Sequence, residues 1–237
     1  MDAFLEWIKN VGHDFYVAFV EKDRYLAYLD GLKTTLIISL FAVLLGVAVG
    51  LIIAIIKTTC AHRKGLGILN WIATVYIAII RGTPVYLQLL IMYYVIFTSR
   101  DASPIVTAVL TFGLNSSAYV AEIIRAGIEA VDRGQTEAGR SLGLGGAQTM
   151  TFIVLPQAIK NILPALGNEF IVLIKETAIV GVITVRDVTK AAQNIGASTY
   201  DLFPPLFITA GMYLVVVIIL TKLLSVFERW LAQSDRR

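Results

Sequence analysis

From Thr34 to Ile56 the sequence runs without one charged side chain. A helix crossing the hydrocarbon core of a bilayer needs about 20 mostly apolar residues, so this stretch reads as a membrane span. Backbone in lipid must satisfy its own polar groups, which makes helices the default for such a segment. Ala102 to Ala121 and Leu202 to Thr221 are also charge-free and long enough. The whole chain agrees: 57% of its residues are hydrophobic and 16% charged, against roughly 45–50% and 25% in soluble domains. A net charge of +3 with scattered basic residues excludes a nucleic-acid stripe. The single cysteine, Cys60, excludes an intrachain disulfide and a multi-cysteine metal centre, and His13 and His62 lie far apart in polar stretches, so no metal site is expected.

Two further stretches need argument. Leu66 to Ser99 is apolar except at Arg81, within Arg81-Gly82-Thr83-Pro84. Reversal there would leave halves of about 15 residues, short for crossing, so one long kinked span is expected. Ile162 to Val185 contains Glu169, Lys175 and Glu176, each costly at mid-membrane. A cytoplasmic amphipathic helix is the competing reading. The apolar neighbours Phe170 to Ile174 and Thr177 to Val185 favour a span, giving five crossings in all. Lys57, Arg63 and Lys64, with no acidic residue among them, place the first linker inside. The amino terminus is then outside and the carboxyl terminus inside. This divides the chain into an extracytoplasmic interfacial segment (1–31), a transmembrane domain (32–227) with a cytoplasmic loop (128–164), and a cytoplasmic tail (228–237).

The amino-terminal segment lacks the basic start and continuous apolar run of a secretory signal. Phe4, Ile8, Val11, Phe15 and Phe19 recur at helical spacing. Either a helix lying on the outer membrane surface or one packed on the bundle gives this pattern.

In the cytoplasmic loop, Asp132 precedes a helix with Gln135, Thr136 and Glu137 in its first turn. Gly143, Gly145 and Gly146 break that helix, and a second short one runs from Ala147 towards Leu155. Two short helices around a glycine turn suit a docking surface for a soluble partner; a merely solvated loop is the alternative. Glu137-Ala138-Gly139, three residues, Gly143, nine residues and Ile153-x-Leu155-Pro156 resemble the EAA loop of bacterial ABC importer permeases. Gly139 departs from that pattern, which more often has alanine. Arg81-Gly82-Thr83-Pro84 with Gln88, and Gly167-Asn168-Glu169-Phe170 with Lys175-Glu176-Thr177, resemble the polar amino acid branch that takes up histidine, arginine or glutamine. The matches run from about Thr34 to Phe227.

The resemblance implies an all-α integral membrane protein of the type I importer kind, similar to the methionine permease. It implies that Glu137, Ala138, Gly139, Gly143, Leu155 and Pro156 couple to ATP-binding subunits, two per transporter. It further implies a second permease subunit, identical or similar, an extracytoplasmic solute-binding protein, an amino acid substrate and a bacterial cell membrane. The chain itself contains no Gly-x-x-x-x-Gly-Lys-[Ser/Thr] motif, so ATP and Mg belong to the partners and this polypeptide is no enzyme.

Ionisable groups inside a span are functional candidates. Glu169 and Glu176 are seven residues apart, nearly on one helix face and roughly 10 Å apart along it. Such a pair suits the ammonium groups of a cationic amino acid, with Gln88 and Asn115 as neutral partners; glutamine stays open as cargo. The competing reading pairs the glutamates with Lys175 or Arg81. Arg81, Gly82, Thr83 and Pro84 are read as a structural kink. Glu122, Arg125 and Glu129 are spaced to ladder along one helix. Asn115, Ser116 and Ser117 either line a path or bridge helices. An ion-coupled secondary transporter would use the same acids, but usually shows internal repeats, and none is evident. A membrane enzyme would need a nucleophile and base beside them, which the sequence does not offer.

Overall fold

The structure is a computed structural model describing residues 2–60, 67–99 and 101–233. Among them there are helices and no strands. Helix α1 (Asp2–Phe19) is followed by a tight turn and the long α2 (Arg24–Cys60). Next come α3 (Gly67–Gly82), α4 (Val85–Ile91) with a π-helical end at Met92–Ile96, and α5 (Pro104–Glu129). Two short helices, α6 (Arg133–Ser141) and α7 (Gly146–Thr149), precede α8 (Leu155–Glu176). A 3-10 segment (Thr177–Ile183), α9 (Val188–Thr199) and α10 (Phe203–Gln233) complete the chain. The basic positions Arg63, Lys64, Arg100, Arg236 and Arg237, and His62, lie outside the described residues.

Three stretches, Glu21–Thr59, Pro104–Glu129 and Phe203–Leu231, are long and apolar enough to cross a membrane, with α3 and α4 a fourth if the bent pair counts as one. Helix α8 is not among them; it carries Lys160, Glu169, Lys175 and Glu176, and its regular α-geometry stops at Glu176. The chain from 162 to 185 is thus two pieces, an α-helix and a 3-10 segment, where one span is expected.

Helix α5 is the centre of the bundle. In its most apolar stretch 61% of residues are buried, against 17% in α10, which leaves α10 on the periphery. The most extensive helix pair is α2 with α5, and glycines set how closely they approach. A Cβ on Gly46 would lie 2.9 Å from Ser116 Oγ, and one on Gly50 2.8 Å from the Ser117 carbonyl oxygen. The main core joins Ile38 and Ala42 of α2, Leu89 of α4, Phe112 of α5, Leu173 of α8, and Val180 and Ile183 of the 3-10 segment. Thr107, Thr111, Asn115, Ser116 and Ser117 of α5 are buried beside these apolar side chains, so close packing through small and polar residues joins the helices.

The expected single kinked helix between residues 66 and 99 is replaced by two helices at 104°. Pro84 caps the start of α4 with φ −62° and ψ 132°; its missing N–H and its ring exclude helical continuation through Thr83. This turns the chain far more than a proline kink does. At the other end, Phe15 of α1 packs edge-on against Phe203, with centroids 6.2 Å apart, and Phe19 lies 5.9 Å from Tyr28. The described part of the amino-terminal stripe therefore packs on the bundle; the side chains of Phe4 and Ile8 lie outside the described residues. Helix α10 continues through residues 228–233 of the expected tail.

Candidate functional site

Two polar groups meet α5 at consecutive residues, Asn115 and Ser116, both buried. Successive helical residues point about 100° apart, so the groups reach α5 from different sides. On one side, Ser116 Oγ donates to Glu169 Oε1 of α8 at 2.7 Å. The absent side chain at Gly46 leaves Ser116 room against α2. Glu176 closes α8 two turns later and is half-buried. Among the described residues neither glutamate forms an ion pair: Lys175 is exposed, and Arg81 turns elsewhere. Ser116 is the hydrogen-bond partner of Glu169, and neither glutamate lies within ion-pair distance of Lys175 or Arg81.

On the other side, Gln88 is used at the α3–α4 bend. Its Nε2 donates to the Ile80 carbonyl and to Thr83 Oγ1, each at 2.8 Å. A helix end leaves carbonyls without partners, and Gln88 supplies one for α3. Its Oε1 accepts from Asn115 Nδ2 at 2.9 Å. Gln88 and Asn115 thus bind each other and the bend, and in this conformation both are committed to holding it. A polar side chain near a kink has the same sequence signature whether it serves the bend or a substrate.

Arg81 precedes the bend, with its guanidinium 5.2 Å from the Tyr119 ring centroid and 3.8 Å from Glu122. Arg125 donates to Glu122 at 2.8 Å and to Glu129 at 2.7 Å, forming the ladder that the spacing suggests. Gly82 is exposed and Thr83 Oγ1 donates to the Ile79 carbonyl, so the four residues 81–84 make the corner itself.

The loop after α5 begins as the sequence indicates: Asp132 Oδ1 accepts from the Gly134 N–H at 2.6 Å and caps α6. Gly143 ends it at φ +84°, a left-handed conformation that side chains disfavour. Glu137, Ala138 and Gly143 are exposed. Gly139 is buried: a Cβ there would fall 2.8 Å from Ile153 Cδ1 and Thr149 Cγ2. The departure from alanine thus accompanies a closer packing of α6 on the returning chain.

The expected second short helix ending near Leu155 does not stand alone. Helix α7 passes through a π-helical turn, Met150–Val154, directly into α8. Pro156 lies in the first turn of α8, where a ring clashes with the carbonyl four residues back in regular geometry; the wider turn relieves that clash. Leu155 and Pro156 are exposed on this continuous rod. Sequence reasoning missed Leu142 and Phe152, 81% and 70% exposed. Large apolar side chains inside a polar, glycine-rich loop are the signal that would have found them. Also missed was Asp187, fully buried, whose Oδ1 and Oδ2 cap α9 by accepting from the N–H groups of Lys190 and Thr189. Burial pushes its carboxyl above the ordinary range, opposed by those backbone donors.

Apolar helices around a central α5, polar groups buried inside, and an exposed helical loop continuous with α8 define an integral membrane protein. The chain belongs to the family of binding-protein-dependent transport system inner membrane components, which matches residues 46–233. It is 42% identical to the arginine transport system permease protein ArtQ of Bacillus subtilis (strain 168), over 87% of this chain and 93% of that one. It is 36% identical to the glutamine transport system permease protein GlnP of Escherichia coli (strain K12), covering 85% and 91%. A crystal structure of an amino acid ABC transporter with histidines is 47% identical with a TM-score of 0.81, covering 86% and 94%. An inward-facing structure of the MetNI methionine ABC transporter shares the fold, with a TM-score of 0.73 at 17% identity, covering 90% and 99%.

Proposed function

We propose that this chain is the permease subunit of an ATP-driven importer of polar, cationic amino acids in a bacterial cell membrane. It crosses the membrane five times, α8 and the 3-10 segment serving as one crossing, with its amino terminus outside and its carboxyl terminus inside. A second permease subunit, the same chain or a similar one, completes the path. Two ATP-binding subunits, which hold ATP and Mg, dock under Glu137, Ala138, Gly139, Gly143, Leu155 and Pro156. A solute-binding protein delivers the amino acid from outside.

The observation that carries this reading is the continuity of the exposed loop with α8 through its π-helical turn. Displacement of Leu155 by a docked partner moves the same rod that bears Glu169 and Glu176. Those carboxylates, free of ion pairs among the described residues, take the cationic groups of the substrate. Leu142 and Phe152 add apolar anchors to the docking face. The names of the arginine and glutamine permeases support the substrate class, and the acidic pair favours the cationic end of it.

Reconstitution of the permease with an ATP-binding subunit and a binding protein tests this. Glu169→Gln with Glu176→Gln should weaken arginine uptake about tenfold or more, the loss of charge-assisted hydrogen bonds. Glu137→Arg should leave ATP hydrolysis running without transport. Ion-driven uptake by this chain alone would overturn the assignment.

A further inference from the structure

A cleft of about 600 Å³ runs between α1, α2 and α10, walled by Phe15 and Phe19, by Leu32, and by Ile208, Gly211 and Val216. Among the described residues no charged side chain lines it. Helix α10 is a candidate membrane span with only 17% of its most apolar stretch buried, so it presents most of its surface, and the cleft beside it, to hydrocarbon. Gly211 deepens the cleft: a Cβ there would meet nothing within 4 Å.

Two features select an occupant. One is width. From Ile208 to Val216 the helix rises about 12 Å, so the cleft volume spread over that length has a mean cross-section of about 50 Å². A helix about 10 Å across takes up about 80 Å². A helix of a second copy or of another protein is therefore too wide, whereas a single hydrocarbon chain is not. The other is charge. Val20, in one wall, is followed directly by Glu21, Lys22, Asp23 and Arg24, the turn at the amino-terminal end of the candidate span Glu21–Thr59. Lys22 and Asp23 are left-handed, at φ 56° and 55°. Arg24 Nη1 donates to the Val17 carbonyl, which ties the turn to the end of α1 that borders the cleft. Among the described residues none of the four forms an ion pair. Two acids and two bases balance to zero here; the bases suit a phosphate, and the acids suit an ammonium group with N–H donors. We propose that the cleft binds one acyl chain of a zwitterionic phospholipid, phosphatidylethanolamine, with its headgroup on the turn Glu21–Arg24. The lipid fills the gap that α1 leaves between α2 and α10, and the site is independent of the cargo.

The test is native mass spectrometry of the purified permease–ATPase complex, titrated with phosphatidylethanolamine and with phosphatidylglycerol of the same acyl chains. Wild type should bind one phosphatidylethanolamine per permease chain, about tenfold more tightly than phosphatidylglycerol. Gly211→Leu places its side chain in open space and removes a glycine from a helix, so the unfolding temperature should not fall. Packing against the walls is what holds a chain where no water drives association, so this variant should bind the lipid about tenfold or more weakly. Glu21→Gln with Asp23→Asn leaves the turn with two positive charges and should reverse the preference in favour of phosphatidylglycerol. Undiminished phosphatidylethanolamine binding by Gly211→Leu, or an unchanged preference in the double variant, would overturn the lipid assignment. So would loss of a permease chain from the Gly211→Leu complex, which would make the cleft a contact between copies.

Discussion

Replacing Gln88 by methionine keeps the length of the side chain and removes its hydrogen bonds. The lost partners are the Ile80 carbonyl and Thr83 Oγ1, each at 2.8 Å, and Asn115 Nδ2 at 2.9 Å. A neutral hydrogen bond contributes about 1 kcal/mol net, and a buried donor left without a partner costs about 1–3 kcal/mol. Asn115 is only 4% exposed, so its amide cannot turn to water. Gln88→Met should therefore destabilise the fold by about 2–4 kcal/mol, seen as a lower unfolding temperature of the detergent-solubilised complex without substrate. Adding Asn115→Leu should recover about 1 kcal/mol or more, because the stranded donor disappears along with its partner. Strict additivity of the two substitutions, or a wild-type unfolding temperature for Gln88→Met accompanied by lost substrate affinity, would refute the account. The second outcome would return Gln88 to the substrate site.

Gly50→Val should separate α2 from α5, since its Cβ would lie 2.7 Å from Val120 Cβ and 2.8 Å from the Ser117 carbonyl oxygen. The expected cost is about 1–3 kcal/mol, measurable as a lower unfolding temperature. Asp187→Ala should cost about 1 kcal/mol through the lost cap of α9, and Asp187→Asn much less, since asparagine also caps. Burial raises the Asp187 carboxyl above its unfolded value. Its contribution to stability is therefore present below the unfolded pKa and is lost as pH rises through the folded one. A pH series of unfolding temperatures should show that decline in wild type and a flatter profile in Asp187→Asn.

The fold was most legible where one local rule sufficed. Thr34 to Ile56 is a helix because nothing else satisfies backbone polar groups in lipid, and Asp132 caps α6 because a carboxylate two residues before an N–H can reach it. The family was legible because Glu137-Ala138-Gly139, Gly143 and Ile153-x-Leu155-Pro156 stand at a fixed spacing. Less legible were places where a residue has two partners of equal chemical merit. Arg81 can pair with any carboxylate by sequence, and folding selects Glu122. The span between 162 and 185 looked continuous because hydropathy does not register the change from α to 3-10 geometry at Thr177.

The sequence by itself determined the membrane environment, the long helices α2, α5 and α10, and the position of the exposed loop, because hydropathy, caps and glycine breaks act over a few residues. Tertiary structure alone decided the 104° turn of α4 from α3, the commitment of Gln88 to the bend, the joining of the loop to α8, and the separation of Glu169 from the available cations. Each of these depends on which side chains meet from distant parts of the chain. Gln88 meets Asn115 and Glu169 meets Ser116 only because α2, α4 and α8 all pack around α5.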